Sequence, residues 1–197
     1  CVPEGDPKHD ALLVLNEDGL GNHEPKRWKQ PAFVIDFTTM DIRTGAGNLS
    51  RKQPLARAVG RQSERVLDLT SGFGSDTTLL AGMGFQVECR ERHPIVYALL
   101  QDALQRAASH PLYAEALSNN IRLQFGDAKD VGSSFLRAFD AVYLDPMYPP
   151  KKSKAAPPRR AQLLQMMTYF LSKANLVDDQ HQLQSYHCYH LQYKGLC

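Results

Sequence analysis

The residues best suited to chemistry follow three short apolar stretches that are typical of β-strands. The first stretch ends in an acid and a glycine turn, the second ends in an acid, and the third ends in an acid followed by proline and an aromatic residue. An acid beside a glycine turn suits a nucleoside ligand, and an acid followed by proline and an aromatic ring suits a planar amine. The residues concerned are Asp68, Gly72, Gly74, Glu91, Asp145, Pro146 and Tyr148.

The glycine turn indicates a ligand that approaches the backbone closely. Gly72 and Gly74 permit that approach, and the helix start beyond them offers free N–H groups. A dinucleotide fingerprint would need a third glycine where Thr77 stands. S-adenosyl-L-methionine (SAM) carries a sulfonium instead of a pyrophosphate, and Asp68 suits a cationic cofactor with an amine. A plain strand–turn–helix corner would use the same residue types.

Two further acids extend this predicted cofactor site. Glu91 follows Asp68 at the spacing of roughly 20 residues that is expected for a carboxylate binding ribose hydroxyls. Asp127 follows the next predicted strand and could accept a hydrogen bond from the adenine amine. A solvated charge at the end of a strand is the alternative for Glu91, and ordinary turn chemistry after Gly126 is the alternative for Asp127.

The sequence Asp145-Pro146-Met147-Tyr148 predicts the place where the methyl acceptor binds. The lone pair of an exocyclic amine is delocalised into its ring, so a carboxylate and a carbonyl must accept both N–H groups to aim it. Proline stiffens such a turn, and the Tyr148 ring can stack on a base. Transfer would depend on positioning and would need no metal. An Asp-Pro turn without chemistry is the alternative.

The elements that must position these residues alternate between strand and helix. We expect strands over 66–69, 85–89, 121–125 and 141–144, and helices over 54–59, 76–83 and 94–108. This order predicts an α/β fold of the Rossmann-like class I SAM-dependent methyltransferase type, with a parallel sheet and right-handed crossovers. Ligands of such sheets bind outside the carboxyl ends of the strands, where all the singled-out residues fall.

Two domains follow from this pattern. Residues 1–60 form an N-terminal β extension, with strands over 11–15 and 32–37, and a basic connector, and residues 61–197 form the methyltransferase domain. We also expect a helix over 161–174. The tail from residue 178 has no clear period, and its His187, Cys188 and His190 lack a second pair with zinc spacing, so no metal site is predicted.

Composition restricts the class of protein. The 43% hydrophobic and 22% charged content is ordinary for a globular chain, and four cysteines without CxxC spacing suit a reducing cytoplasm. No apolar run approaches the ~20 residues of a membrane span. Because the net charge is only +2, phosphate contacts must come from local patches. One basic loop suits them: Lys151, Lys152, Lys154, Arg159 and Arg160.

Over residues 30–170 the chain resembles the bacterial 16S ribosomal RNA guanine-N2 methyltransferase family called RsmJ. The Glu-Arg-x-Pro and Tyr-Leu-Asp-Pro-Met-aromatic-Pro strings are its more specific motifs. The matching segments are Phe33-Val34-Ile35-Asp36-Phe37, Arg57-Ala58-Val59-Gly60, Val66-Leu67-Asp68-Leu69-Thr70-Ser71-Gly72-Phe73-Gly74-Ser75-Asp76, Glu91-Arg92-His93-Pro94-Ile95-Val96, Ala98-Leu99-Leu100 and Val142-Tyr143-Leu144-Asp145-Pro146-Met147-Tyr148-Pro149.

The resemblance implies a site and a substrate. It implies methylation of a guanine amine in the 16S rRNA of the small ribosomal subunit, with Asp145 serving the cofactor, the amine or both. The residues that it implies in SAM binding are Ser75, Asp76, Glu91, Arg92, Ala128, Lys129 and Asp145. The family usually has Arg where Ser75 stands and Ser-Ser near Ala128 and Lys129. Its later basic strand is not recognisable after residue 175, so we expect the C-terminal part to be incomplete or altered.

Two other classes of function stay open at the level of sequence. One is an amine methyltransferase that acts on DNA or on protein. The other is a non-catalytic relative that binds RNA or the ribosome without turnover. An NAD enzyme is disfavoured by Thr77 and by the Asp-Pro-Met-Tyr sequence.

Overall fold

The computed structural model describes residues 12–24, 29–42 and 49–145. A π-helical turn at Ala114–Ser118 and a 3₁₀ turn at Ala128–Asp130 accompany the regular elements. In chain order these are β1 (Leu12–Asn16), β2 (Gly19–His23), β3 (Phe33–Val34), α1 (Pro54–Val59), β4 (Arg65–Asp68), α2 (Ser75–Gly82), β5 (Gln86–Glu91), α3 (Pro94–Ala108), α4 (Pro111–Tyr113), β6 (Ile121–Phe125), α5 (Ser133–Leu136) and β7 (Ala141–Tyr143).

Four strands form a parallel sheet in the order β6-β5-β4-β7. From β4 the chain moves outward to β5 and β6 and then returns to the other side of β4 to form β7. The order in which strands are added therefore reverses between β4 and β7, and a crevice at such a point is where α/β sheets bind ligands. The predicted α/β class with a parallel sheet is confirmed.

The core lies between this sheet and the crossover helices. Helix α3 begins at Pro94, where the His93 side chain accepts a hydrogen bond from the Ile95 amide. Its buried residues recur every three or four positions, so that one apolar face packs inward. These residues are Val96, Leu99, Leu100, Ala103 and Ala107.

The N-terminal extension is an antiparallel sheet in the order β1-β2-β3. It docks on α3 because Asp102 accepts from the Leu20 amide at 3.1 Å and from Arg106 Nε at 2.8 Å, while Arg106 also donates to the Ile35 carbonyl. Two of its strands were predicted, although the strand expected over 32–37 is present only at Phe33–Val34. The sequence gives no sign of β2, since glycines at positions 19 and 21 have low strand propensity.

The other predicted elements that lie within the described residues are present with ends shifted by at most two residues. In strand β7 only Ala141 is buried, whereas Val142 and Tyr143 are half-buried. Among the described strands β7 pairs with β4 alone. The predicted helix over 161–174 lies outside the described residues.

None of the described helices has the length and apolar character needed to cross a bilayer.

Candidate active site

The turn after β4 can be built only with glycine at its last position. Gly72 and Gly74 have φ values of 53° and 75°, in the left-handed region. The Gly74 amide donates to the Ser71 carbonyl at 2.7 Å. A Cβ on Gly74 would lie 2.6 Å from Leu100 Cδ1 and 3.1 Å from Phe37 Cζ. The turn is therefore pressed against α3 and the N-terminal extension.

Asp68 supports this turn from inside the protein. Its buried carboxylate accepts from the Thr70 amide at 2.9 Å and from Thr77 Oγ1 at 2.6 Å. Burial raises its pKa from 3.8 to about 6, against the effect of these two hydrogen bonds, and the Asp76 and Glu91 charges raise it further. In the structure the partners of Asp68 are thus the turn and helix α2.

Glu91 joins the end of β5 to the same turn. Its Oε2 accepts from the Gly72 amide at 2.9 Å and its Oε1 from the His93 amide at 2.7 Å. Burial raises the pKa of this carboxyl, while the bonds from His93 and Gly72 oppose the rise. Each carboxylate oxygen can accept two hydrogen bonds, so acceptor capacity for hydroxyl groups of a ligand remains.

Arg92 and Asp127 meet beyond the ends of β5 and β6. Arg92 Nη1 lies 3.3 Å from Asp127 Oδ2, with the two side chains 32% and 29% exposed. Asp127 Oδ1 also accepts from the Lys129 amide at 3.0 Å, which fixes the start of the 3₁₀ turn that contains Ala128. A pair this exposed contributes little to stability, which leaves it available to contact a ligand.

The end of β7 brings two more groups to the turn. The amide of the exposed residue Asp145 donates to Thr70 Oγ1 at 2.8 Å, and the Tyr143 hydroxyl donates to Asp76 Oδ2 at 2.5 Å. Partial loss of hydration and then the Asp76 charge raise the pKa of the Asp145 carboxyl. Burial and the bond to Asp76 raise the pKa of Tyr143. Pro146 and Tyr148 lie outside the described residues.

The carboxyl edge of the sheet is therefore acidic. Asp76 and Glu91 each raise the pKa of Asp68, and Asp76 raises that of Asp145. A cation placed near these groups would relieve their mutual repulsion. No cluster with the composition of a metal site occurs in the part of the chain that the structure describes.

The structure thus brings together the predicted residues that it describes. Ser75 is the first residue of α2, next to Asp76, and follows Gly74 directly. Sequence reasoning missed the hydroxyl groups of Thr70, Thr77 and Tyr143, which bind Asp145, Asp68 and Asp76 to neighbouring elements. In the sequence, Thr77 was interpreted only as the residue that stands where a dinucleotide fingerprint would have its third glycine. A hydroxyl residue two or nine positions after a strand-end acid is a weak signal, because turns commonly contain such residues.

Comparison with known proteins identifies relatives over most of the chain. A family model described as SAM-dependent methyltransferase matches residues 3–177. The Ribosomal RNA small subunit methyltransferase J of Mannheimia succiniciproducens is 35% identical over 189 residues, which cover 90% of this chain and 75% of that protein. The protein of the same name from Pseudoalteromonas atlantica is 35% identical over 174 residues, covering 83% of this chain and 67% of the relative.

A solved structure is similar to this chain as well. A SAM-dependent methyltransferase from Neisseria gonorrhoeae superposes with a TM-score of 0.62 at 26% sequence identity. The match covers 90% of this chain, and the chain spans 65% of the length of that protein.

Proposed function

The chain belongs to the SAM-dependent methyltransferase family, and on this premise we propose that it methylates the exocyclic N2 amine of a guanine in 16S ribosomal RNA. The observation that carries the proposal is that Asp76, Glu91 and Asp145 lie around one glycine turn. This turn is at the point where the order of the strands reverses. The relatives named as small-subunit ribosomal RNA methyltransferases support the choice of substrate.

The residues around the turn fit SAM, which supplies an electrophilic methyl group on a sulfonium when bound. Glu91 has the remaining acceptor capacity to bind the ribose hydroxyls, which would form charge-assisted bonds. Asp127, Ala128, Lys129 and Arg92 would surround the adenine. The other proposed cofactor contacts would bind nearer to the sulfonium and the amino-acid end, and they are Gly72, Gly74, Ser75 and Asp76.

Asp68 has a different place in this proposal. It is buried and both carboxylate oxygens have protein partners, so it would act through the turn that it supports. Its negative charge would still favour a cationic cofactor nearby, although its raised pKa reduces that charge near pH 6.

Asp145 is proposed to bind the acceptor amine. Its carboxylate and a neighbouring carbonyl would accept both N–H groups, which aims the nitrogen lone pair at the methyl carbon. The raised pKa of Asp145 makes it a better acceptor for the proton that the amine loses. Pro146 would stiffen this segment and Tyr148 would stack on the guanine, and both assignments rest on the sequence.

The partner in this proposal is 16S rRNA, free or within the small ribosomal subunit, so the protein would work in the cytoplasm. The target guanine must be unstacked or lie in a loop for its edge to reach Asp145. The basic loop at 151–160, outside the described residues, would contact phosphates.

Two measurements test the proposal. Calorimetric titration with S-adenosylhomocysteine, the demethylated cofactor, should show saturable binding. Labelled SAM should then transfer its methyl to unmethylated small subunits or to naked 16S rRNA, and mass spectrometry of the digested RNA should identify N2-methylguanine. Transfer to DNA or protein alone would contradict the RNA substrate. RNA binding without transfer would contradict the enzymatic function.

A further inference from the structure

We propose that Thr70 is a positioning residue that holds Asp145 in a fixed place relative to the cofactor turn. The inference rests on the proposed methyl transfer and deepens it. Thr70 connects two segments that lie 75 residues apart in the sequence, through the bond from the Asp145 amide to Thr70 Oγ1 at 2.8 Å.

The hydrogen-bond ladder of the sheet ends where Thr70 begins. The Leu69 amide donates to the Tyr143 carbonyl at 3.1 Å as the last bond between the backbones of the β4 and β7 segments. Beyond it the chain after β4 turns away towards the glycines, so the backbone can no longer pair with Asp145. Instead, the Thr70 hydroxyl accepts a hydrogen bond from the Asp145 amide, which adds one side-chain bond to the end of the β4–β7 ladder.

The same residue is bound to the support of the cofactor turn. The Thr70 amide donates to Asp68 Oδ1 at 2.9 Å, while Asp68 Oδ2 accepts from Thr77 of helix α2 at 2.6 Å. Asp145, the turn and the first turns of α2 are thus connected through one buried carboxylate. A second bond, from the Tyr143 hydroxyl to Asp76 at 2.5 Å, joins β7 to α2 in parallel.

Asp145 needs such a constraint because it is exposed and lies beyond the last residue of β7, where the strand no longer fixes its place. Methyl transfer requires the reacting atoms to approach about 3–3.5 Å in line, and an error of ~1 Å can cost about 10²-fold in rate. Threonine suits the role, since its branched Cβ restricts the direction of the hydroxyl.

The test compares four proteins: wild type, Thr70→Val, Thr70→Ser and Ser63→Ala. Valine keeps the shape without the hydroxyl, and serine keeps the hydroxyl. Ser63 is the control, because its hydroxyl makes a 2.7 Å bond to the Val59 carbonyl at the opposite end of β4. Single-turnover transfer from labelled SAM to saturating rRNA should slow about tenfold or more in Thr70→Val. S-adenosylhomocysteine affinity should change less than about threefold.

Thr70→Ser and Ser63→Ala should transfer at nearly the wild-type rate. The proposal is overturned if Thr70→Val transfers normally. It is equally overturned if cofactor affinity falls in parallel with transfer, because Thr70 would then shape the cofactor turn only.

Amide hydrogen exchange at Asp145 gives a second test that needs neither RNA nor turnover. The Asp145 amide should be protected in the wild type and in Thr70→Ser, and it should exchange about fivefold faster in Thr70→Val. If the Asp145 amide of the wild type is unprotected, the proposal is overturned. This measurement decides the matter even if Thr70→Val does not fold, because it needs the wild type alone. If the wild type binds no S-adenosylhomocysteine and transfers no methyl, the proposed function fails while the exchange result stands.

Discussion

Replacing Asp68 with asparagine should remove one part of the pH dependence of stability. The Asp68 carboxyl is fully buried between Thr70 and Thr77, and its pKa rises from 3.8 to about 6 on folding, first because burial removes water from the charged form. Folding therefore favours the protonated acid. The stabilisation is fully present below pH 3.8 and is lost as the pH rises through 6.

The size of the effect follows from the shift. About two pKa units at 1.36 kcal/mol each correspond to about 3 kcal/mol, of which about 2 kcal/mol falls between pH 4 and 7. The asparagine variant lacks this titration. Its free energy of unfolding should therefore rise by about 2 kcal/mol relative to the wild type over that interval.

Urea unfolding followed by circular dichroism at a series of pH values measures this difference. Asp140→Asn is the matched control, because Asp140 accepts from the Glu64 and Arg65 amides and these bonds lower its pKa. The advantage of the wild type over that variant should be lost as the pH falls, which is the opposite sign. A difference between wild type and Asp68→Asn that is independent of pH, or that moves in favour of the wild type with rising pH, would refute the reasoning.

Three further substitutions test the turn and its acids. Glu91→Gln should weaken S-adenosylhomocysteine binding by about 1–3 kcal/mol in calorimetry, because it removes the charge that would accept the ribose hydroxyls, and an unchanged affinity would exclude that role. Gly74→Ala should lower the free energy of unfolding in urea by more than about 1 kcal/mol, since the new Cβ would lie 2.6 Å from Leu100 Cδ1 at a φ of 75°; equal stability would show that the turn can move. Asp145→Asn should abolish labelled methyl transfer while the fold persists by circular dichroism, and near-normal turnover would remove Asp145 from the acceptor site.

The parts of the fold that sequence predicts are those with a local signal. The strand ending at Asp68 and helix α3 have uninterrupted apolar periodicity, so their positions were predicted within one residue. Strand β2 was not found because its residues 19–23 include two glycines, and it exists through pairing with β1 and through the bond from Leu20 to Asp102. Such a strand depends on tertiary contacts that local propensity does not contain.

The candidate site shows the same limit in its side chains. A strand-end acid indicates which edge of the sheet it occupies, yet Asp68 and Asp145 occupy the same edge with opposite surroundings. Asp68 is 1% exposed and bound by a turn that begins two residues later, whereas Asp145 is exposed. The two acids differ in position, since Asp68 is the last residue of β4 whereas Asp145 lies two residues beyond the end of β7.

Burial therefore separates the two acids at the ends of β4 and β7. Asp68 is removed from water and supports the turn from inside the protein. Asp145 is exposed, which gives the access that a large RNA substrate would need, and its backbone is held by the hydrogen bond from its amide to Thr70 Oγ1. The hydroxyl groups of Thr70 and Tyr143 hold these segments in fixed relative positions. Their partners could be identified only once β4 and β7 were known to be neighbours.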